Sequence, residues 1–179
     1  NINSVNALLK VVEEPNENIY FILIHNNNKK ILSTLKSRCL LFKISLTFEE
    51  TLNITNSLLG ENIFDLINDD LINYYNTAGE LVSLVNFSKE KKIDLKELNL
   101  NKFLLLLIDN GYYKKNSFFK NLIINFIELH FLKVYKTSNT KEKILVVYNS
   151  IIKKIDDTNK FNLDDESLFM EFKSKILNG

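Results

Sequence analysis

The sequence predicts an α-rich α/β chain, with strands confined to the first 45 residues and helices alone after Ile44. Three observations carry this reading. Two continuous runs, Ile19–Ile24 and Cys39–Ile44, are rich in β-branched and aromatic residues, as in strands covered on both faces of a mostly parallel sheet. The chain has one proline and four glycines, so little interrupts a helix in the remaining length. Apolar residues there recur at helical spacing, most clearly in Ile144, Leu145, Tyr148, Ile151, Ile152 and Ile155.

Each element has a local cause. Val5, Leu8, Leu9 and Val12 share one face of a first helix, and Pro15 ends it by excluding its predecessor from the α region. The strand Ile19–Ile24 follows, then a short helical turn before Ser37, then the strand Cys39–Ile44. Thr47-Phe48-Glu49-Glu50 is a capping box that opens a helix to about Leu59, stopped by Gly60. A second helix is expected over Ile63–Tyr75, with Ile63, Phe64, Ile67, Leu71 and Tyr75 on one side. A third spans Glu80–Phe87, and the polar Ser88-Lys89-Glu90-Lys91-Lys92 reads as a hinge. Beyond it, Phe103–Ile108 is a buried helix and Ser117–Tyr135 a longer one. Asp164-Asp165-Glu166 places acids on the first turn of a terminal helix, where they complement its dipole, with Leu168, Phe169, Phe172 and Ile176 facing inward.

Composition narrows the function classes. At 179 residues and 45% hydrophobic content the chain can bury a sizeable core. A net charge of +1 gives no broad basic field for independent DNA binding. Phe103–Ile108 is too short to span a bilayer, and Lys120, Asn121, Asn125, Glu128 and His130 interrupt Ser117–Tyr135, so no membrane helix is expected. His25 and His130 lie far apart and Cys39 is the single cysteine, so no metal constellation has ligand-like spacing. Cys39 reads as a small buried thiol, and one cysteine without a signal peptide suits a reducing cytoplasm.

Arg38 stands apart. It is the only arginine among 23 Lys+Arg residues, in a chain whose abundant Asn, Ile and Lys suggest the drift of an AT-rich genome. A guanidinium is planar and offers a rigid fork of donors matched to phosphate or carboxylate, which an ammonium cannot imitate. Taken alone, such a residue reads as a partly buried structural ion pair.

The neighbouring motifs change that reading. Asn6-Ala7-Leu8-Leu9-Lys10-Val11-Val12-Glu13-Glu14-Pro15, then Phe21-Ile22-Leu23, then Ile31-Leu32-Ser33-Thr34-Leu35-Lys36-Ser37-Arg38-Cys39 stand in one order. The order resembles NALLK-x-x-EEP, FIL and IL-x-T-[IL]-x-SRC of the clamp-loader branch of the AAA+ superfamily. The resemblance implies three parts. Residues 1–45 would be the closing half of a RecA-like AAA+ core with two strands, residues 46–92 a three-helix lid, and residues 93–179 an all-helical collar that joins subunits. It implies that Arg38 acts in trans as an arginine finger on ATP-Mg held by a neighbouring subunit. Such a contribution is worth about 10³–10⁵ in rate elsewhere. Ser37, Cys39 and Thr34 would support the finger. Asn26 stands near the place of a small polar sensor, although an Asn run also suits a turn.

No G-x-x-x-x-G-K-[ST] is present, since none of Gly60, Gly79, Gly111 and Gly179 precedes Lys-Ser/Thr. The chain alone is therefore expected neither to bind nor to hydrolyse ATP, and it reads as a fragment beginning just after the family's Walker B strand. Thr77-Ala78-Gly79-Glu80-Leu81-Val82 lacks the lid arginine of gamma/tau ATPase subunits and looks more like the delta-prime class, as does Phe161-Asn162-Leu163-Asp164. The implied partners are gamma/tau and delta subunits, with the sliding clamp and primer-template DNA met through the complex. A gamma/tau fragment and a helical adaptor with an AAA+ remnant are the alternatives.

Overall fold

The computed structural model describes residues 9, 11–13, 17–25 and 32–174. The chain forms two compact units, residues 1–45 and 46–179.

In the first unit, Leu9 and Val11–Glu13 are helical and α1 spans Ser33–Lys36. Val5, Leu8 and Pro15, which were to shape and end the first helix, lie outside the described residues. The two expected strands are not formed: Ile19–Ile24 and Leu40–Ile44 are irregular, and no strand occurs among the described residues. A strand exists only as one side of a hydrogen-bonded ladder, and no described segment pairs with either run. The first run keeps a strand's period of two in its burial. Tyr20, Ile22 and Ile24 are 89, 86 and 94% exposed, against 46, 43 and 40% for Ile19, Phe21 and Leu23.

The second unit is helical throughout. α2 spans Phe48–Leu59. Thr47 Oγ1 accepts from the Glu50 amide at 3.2 Å while a Glu50 carboxylate oxygen accepts from the Thr47 amide at 2.7 Å. These bonds to the Thr47 backbone and hydroxyl hold the Glu50 carboxyl below its ordinary pKa. Gly60 closes the helix at φ 72°, a left-handed position that suits a residue without Cβ.

The helix expected over Ile63–Tyr75 is broken. Only α3, Ile63–Leu66, and a 3₁₀ turn, Asp69–Leu71, are helical. Asparagine side chains take over the amides that a continuous helix would use. Asn62, Asn68 and Asn73 accept from the amides of Phe64, Asp70 and Tyr75, and Asn76 accepts from that of Asn73. Ile63, Ile67 and Leu71 are fully buried as expected, but Tyr75 is 84% exposed.

α4 spans Ala78–Lys91 and opens with a second capping box, Thr77 with Glu80. It runs through Ser88–Lys91, so that stretch is a helix end and not a hinge. Lys89 and Lys91 sit in the last turn, where cations match the dipole, and Lys92 ends it at φ 54°. Next come α5, Leu100–Asp109, capped by Asn99, and α6, Tyr112–Lys115. α7, Ser117–Thr137, is capped by Asn116, and α8 runs from Lys141 to Phe161. α9, Asp165–Phe172, is capped by Asp164, whose carboxylate accepts from the Glu166 and Ser167 amides and is thereby held below its usual pKa. Ile176 lies outside the described residues.

One apolar core joins these helices. α7 packs against α5, α6 and α8, while α8 also carries α9. Phe103, Leu104 and Leu107 of α5, Ile123, Phe126 and Ile127 of α7, and Phe169 and Phe172 of α9 are fully buried. Phe103 and Phe126 meet edge to face with centroids 5.8 Å apart. Lysines tie the terminal helix at its rim: Lys114 to Glu166, Lys120 to Asp165, Lys154 to Glu171 and Lys173 to Asp109. Exposed and half-buried rim pairs contribute little each, so burial of the α9 phenylalanines dominates its docking.

Two substitutions separate capping from packing. Thr47→Ala is expected to lower unfolding stability by about 1 kcal/mol, read as a shift in the urea midpoint at constant slope. Phe126→Ala, which empties a ring's volume in the core, is expected to cost about 3–5 kcal/mol in the same titration.

Candidate functional site

Four residues are too few for an independent helix, and α1 serves to deliver a turn. The Ser37 amide bonds the Ser33 carbonyl at 3.0 Å and the Arg38 amide bonds the Leu35 carbonyl at 3.1 Å, which carries the backbone one step beyond the helix. The Arg38 side chain then folds back over it. Its Nη1 donates to the Thr34 carbonyl at 2.9 Å and lies 3.4 Å from the Ser37 hydroxyl, which itself donates to the Thr34 carbonyl at 3.0 Å. Its Nε donates to the carboxylate of Glu13, 25 residues earlier.

The site residues read from the sequence are thus partly brought together. Arg38, Ser37 and Thr34 form one hydrogen-bonded group, with Thr34 contributing its carbonyl and not its hydroxyl. Cys39 is a half-buried free thiol with no disulfide. Asn26 lies outside the described residues. Glu13 is the member that sequence reasoning missed, although it stands in the EEP motif. Its pairing across 25 residues leaves no trace in local spacing. The structural ion pair considered for a lone arginine does form, yet Arg38 remains 40% and Glu13 42% exposed. The guanidinium is therefore oriented and still accessible, which suits contact with an anionic group arriving from outside.

The second unit holds a cleft of about 200 Å³ that the sequence did not signal. Lys133 closes one side, bonding Asp70 through both its carboxylate at 2.7 Å and its carbonyl at 3.1 Å. His130, 6% exposed, sits against the edges of Phe131 and Phe172, with Nδ1 2.8 Å from the Asn101 side-chain oxygen. Burial pushes its pKa below the ordinary histidine value. A wider groove of about 550 Å³ is floored by Phe87, Tyr112 and Phe119, which pack on one another. Among the described residues no group of three His, Cys, Asp or Glu could hold a metal ion, and no helix is long and apolar enough to cross a membrane.

The comparisons with known proteins fall on both units. A family described as DNA polymerase III, delta subunit matches residues 1–47, which include the whole Glu13–Arg38 site. The delta-prime subunit of Buchnera aphidicola from Schizaphis graminum is 37% identical over 153 residues, covering 80% of this chain and 44% of the relative. That from Baizongia pistaciae is 28% identical over 93% of this chain and 44% of the relative. The chain is a relative of the DNA polymerase III delta-prime subunits. A gamma subunit, also from Buchnera of Schizaphis graminum, is 46% identical but over only 66 residues, 35% of this chain. The delta-prime likeness extends well beyond the length that the gamma subunit matches, into a chain whose own structure is predominantly helical. The chain spans a little under half the length of these delta-prime relatives. No solved structure matches it.

The buried imidazole sets a pH dependence. With its folded pKa depressed, His130 is neutral in the native state and gains a proton more readily when unfolded. Stability is therefore whole above about pH 6.5, the unperturbed histidine value, and falls as pH drops below it. Thermal unfolding between pH 7.5 and 5.5 is expected to show this loss, and His130→Leu to reduce it.

Proposed function

We propose that the protein acts as a delta-prime-type subunit of a bacterial DNA polymerase III clamp loader, supporting ATP-dependent placement of the sliding clamp on primed DNA. The observation that carries this reading is a delta-prime likeness spanning 80–93% of the chain, far more than the segment shared with gamma. Arg38 would serve as the trans arginine finger. It would meet the γ-phosphate of ATP-Mg held by an adjacent gamma/tau subunit and stabilise the charge that develops on the transferred phosphoryl group. Its exposure and its anchoring to the α1 turn support that role.

In this reading the collar helices hold the subunit in a ring with gamma/tau and delta, in a reducing cytoplasm. Primer-template DNA is met by the assembled ring, consistent with a net charge of only +1. A gamma-type role is the second reading, favoured by the 46% identity of the shorter match. The missing lid arginine at Glu80-Leu81-Val82 weighs against it.

The test is the ATPase rate of a clamp loader reconstituted with the full-length protein or its Arg38→Lys form. Clamp- and DNA-stimulated turnover is expected to fall steeply, toward the factor of about 10³ that a finger supplies, with assembly intact by gel filtration. Unchanged turnover would reduce Arg38 to a structural residue and leave only a scaffolding role.

A further inference from the structure

A guanidinium can reach a phosphate in many poses, because its long stem rotates freely and its plane has no intrinsic direction. Productive use of a single cation at a reacting centre requires that plane to be set before the phosphate arrives. At Arg38 the setting comes from two separate segments. Thr34 and Ser37 of the α1 turn engage Nη1, and Glu13 engages Nε. The first two contacts come from within four residues of Arg38 and would move with it. Among the described residues Glu13 alone ties the guanidinium to a different stretch of chain, 25 residues away.

We infer that Glu13 is a positioning residue for Arg38: its carboxylate takes the inner, Nε edge of the guanidinium and turns the distal edge outward for an incoming phosphate. This rests on the finger reading of Arg38 above. The geometry suits it in two respects. Among the described residues Nη2 takes no hydrogen bond, so a phosphate can be met while Glu13 and Thr34 keep their places. The pair is also open to solvent, where a salt bridge adds little to folding stability. What Glu13 supplies is orientation, and its negative charge partly offsets a cation that would otherwise attract any passing anion.

A different reading of the same contact is that Glu13 competes with the phosphate and holds the finger back. The two predict opposite signs. If Glu13 positions Arg38, removing it lowers turnover; if it competes, removing it raises turnover.

The experiment compares Glu13→Ala, Glu13→Gln, Arg38→Ala and the Glu13→Ala/Arg38→Ala double variant of the full-length protein in the reconstituted loader. Glu13→Ala is expected to reduce clamp- and DNA-stimulated kcat by about 10- to 100-fold, the scale set by loss of alignment, with KM for ATP and assembly unchanged. Glu13→Gln keeps an oxygen acceptor for Nε and is expected to recover most of the rate. In the Arg38→Ala background, Glu13→Ala is expected to add nothing, because it acts only through the guanidinium. A general structural role would give the same further loss in both backgrounds and would overturn the inference, as would turnover at or above the parent level in Glu13→Ala. An impaired Arg38→Ala beside a normal Glu13→Ala would remove the positioning role alone. A normal Arg38→Ala would remove the finger reading and this inference together.

Discussion

The helical unit depends on the burial of one face of α7 between its neighbours. Ile123, Phe126 and Ile127 are sealed by α5, α6 and α8, and the phenylalanines of α9 join the same core. Phe103, Leu104 and Leu107 of α5 are buried as completely on the facing side. The lysine-carboxylate pairs around α9 are exposed or half-buried. The segment from α3 to α4 joins the core through Ile63, Ile67, Leu71, Leu81 and Leu84, while α2 packs on it through the partly buried Leu52 and Leu59. Where the polar chemistry enters the interior, as with His130, it does so against the rings of Phe131 and Phe172 and takes its altered proton affinity from them. The core thus sets the shape of this unit and, by burying His130, lowers that imidazole's proton affinity.

With glycine and proline nearly absent, asparagine provides most of the punctuation. Asn62, Asn68, Asn99 and Asn116 cap helices or turns with their side-chain oxygens, and Asn162 ends α8 in the left-handed region at φ 51°. This explains what was legible in the sequence and what was not. The Thr47–Glu50 box and the acids at Asp164–Glu166 are local signals with fixed spacing, and the helix starts lie where they indicate. The break within Ile63–Tyr75 was hidden because the apolar spacing is genuinely helical. Only the asparagine oxygens, competing for backbone amides, divert the chain. Ser88–Lys91 was misread for the opposite reason: a charged stretch resembles a linker until its place on the solvent side of a helix end is known.

The candidate site was legible in its residue type and illegible in its geometry. A single arginine beside a motif identifies a guanidinium worth attention, but not what touches it. Its contact with Glu13 belongs to tertiary structure, as does the pairing of His130 with Asn101 across 29 residues. The apolar runs on either side of α1 show the same limit. Their composition specifies strands, and the alternating exposure of Ile19–Ile24 still carries that period, yet ladder partners must come from outside the segment itself.

A chain with one guanidinium also has one target for guanidine-specific chemistry. A vicinal dicarbonyl reagent, which condenses with arginine and spares lysine ammonium groups at neutral pH, would meet only Arg38 among all 23 Lys+Arg residues. Because the side chain is 40% exposed, it is open to attack. The composition of this chain therefore leaves a natural single-site label at the guanidinium held by Glu13 and Thr34.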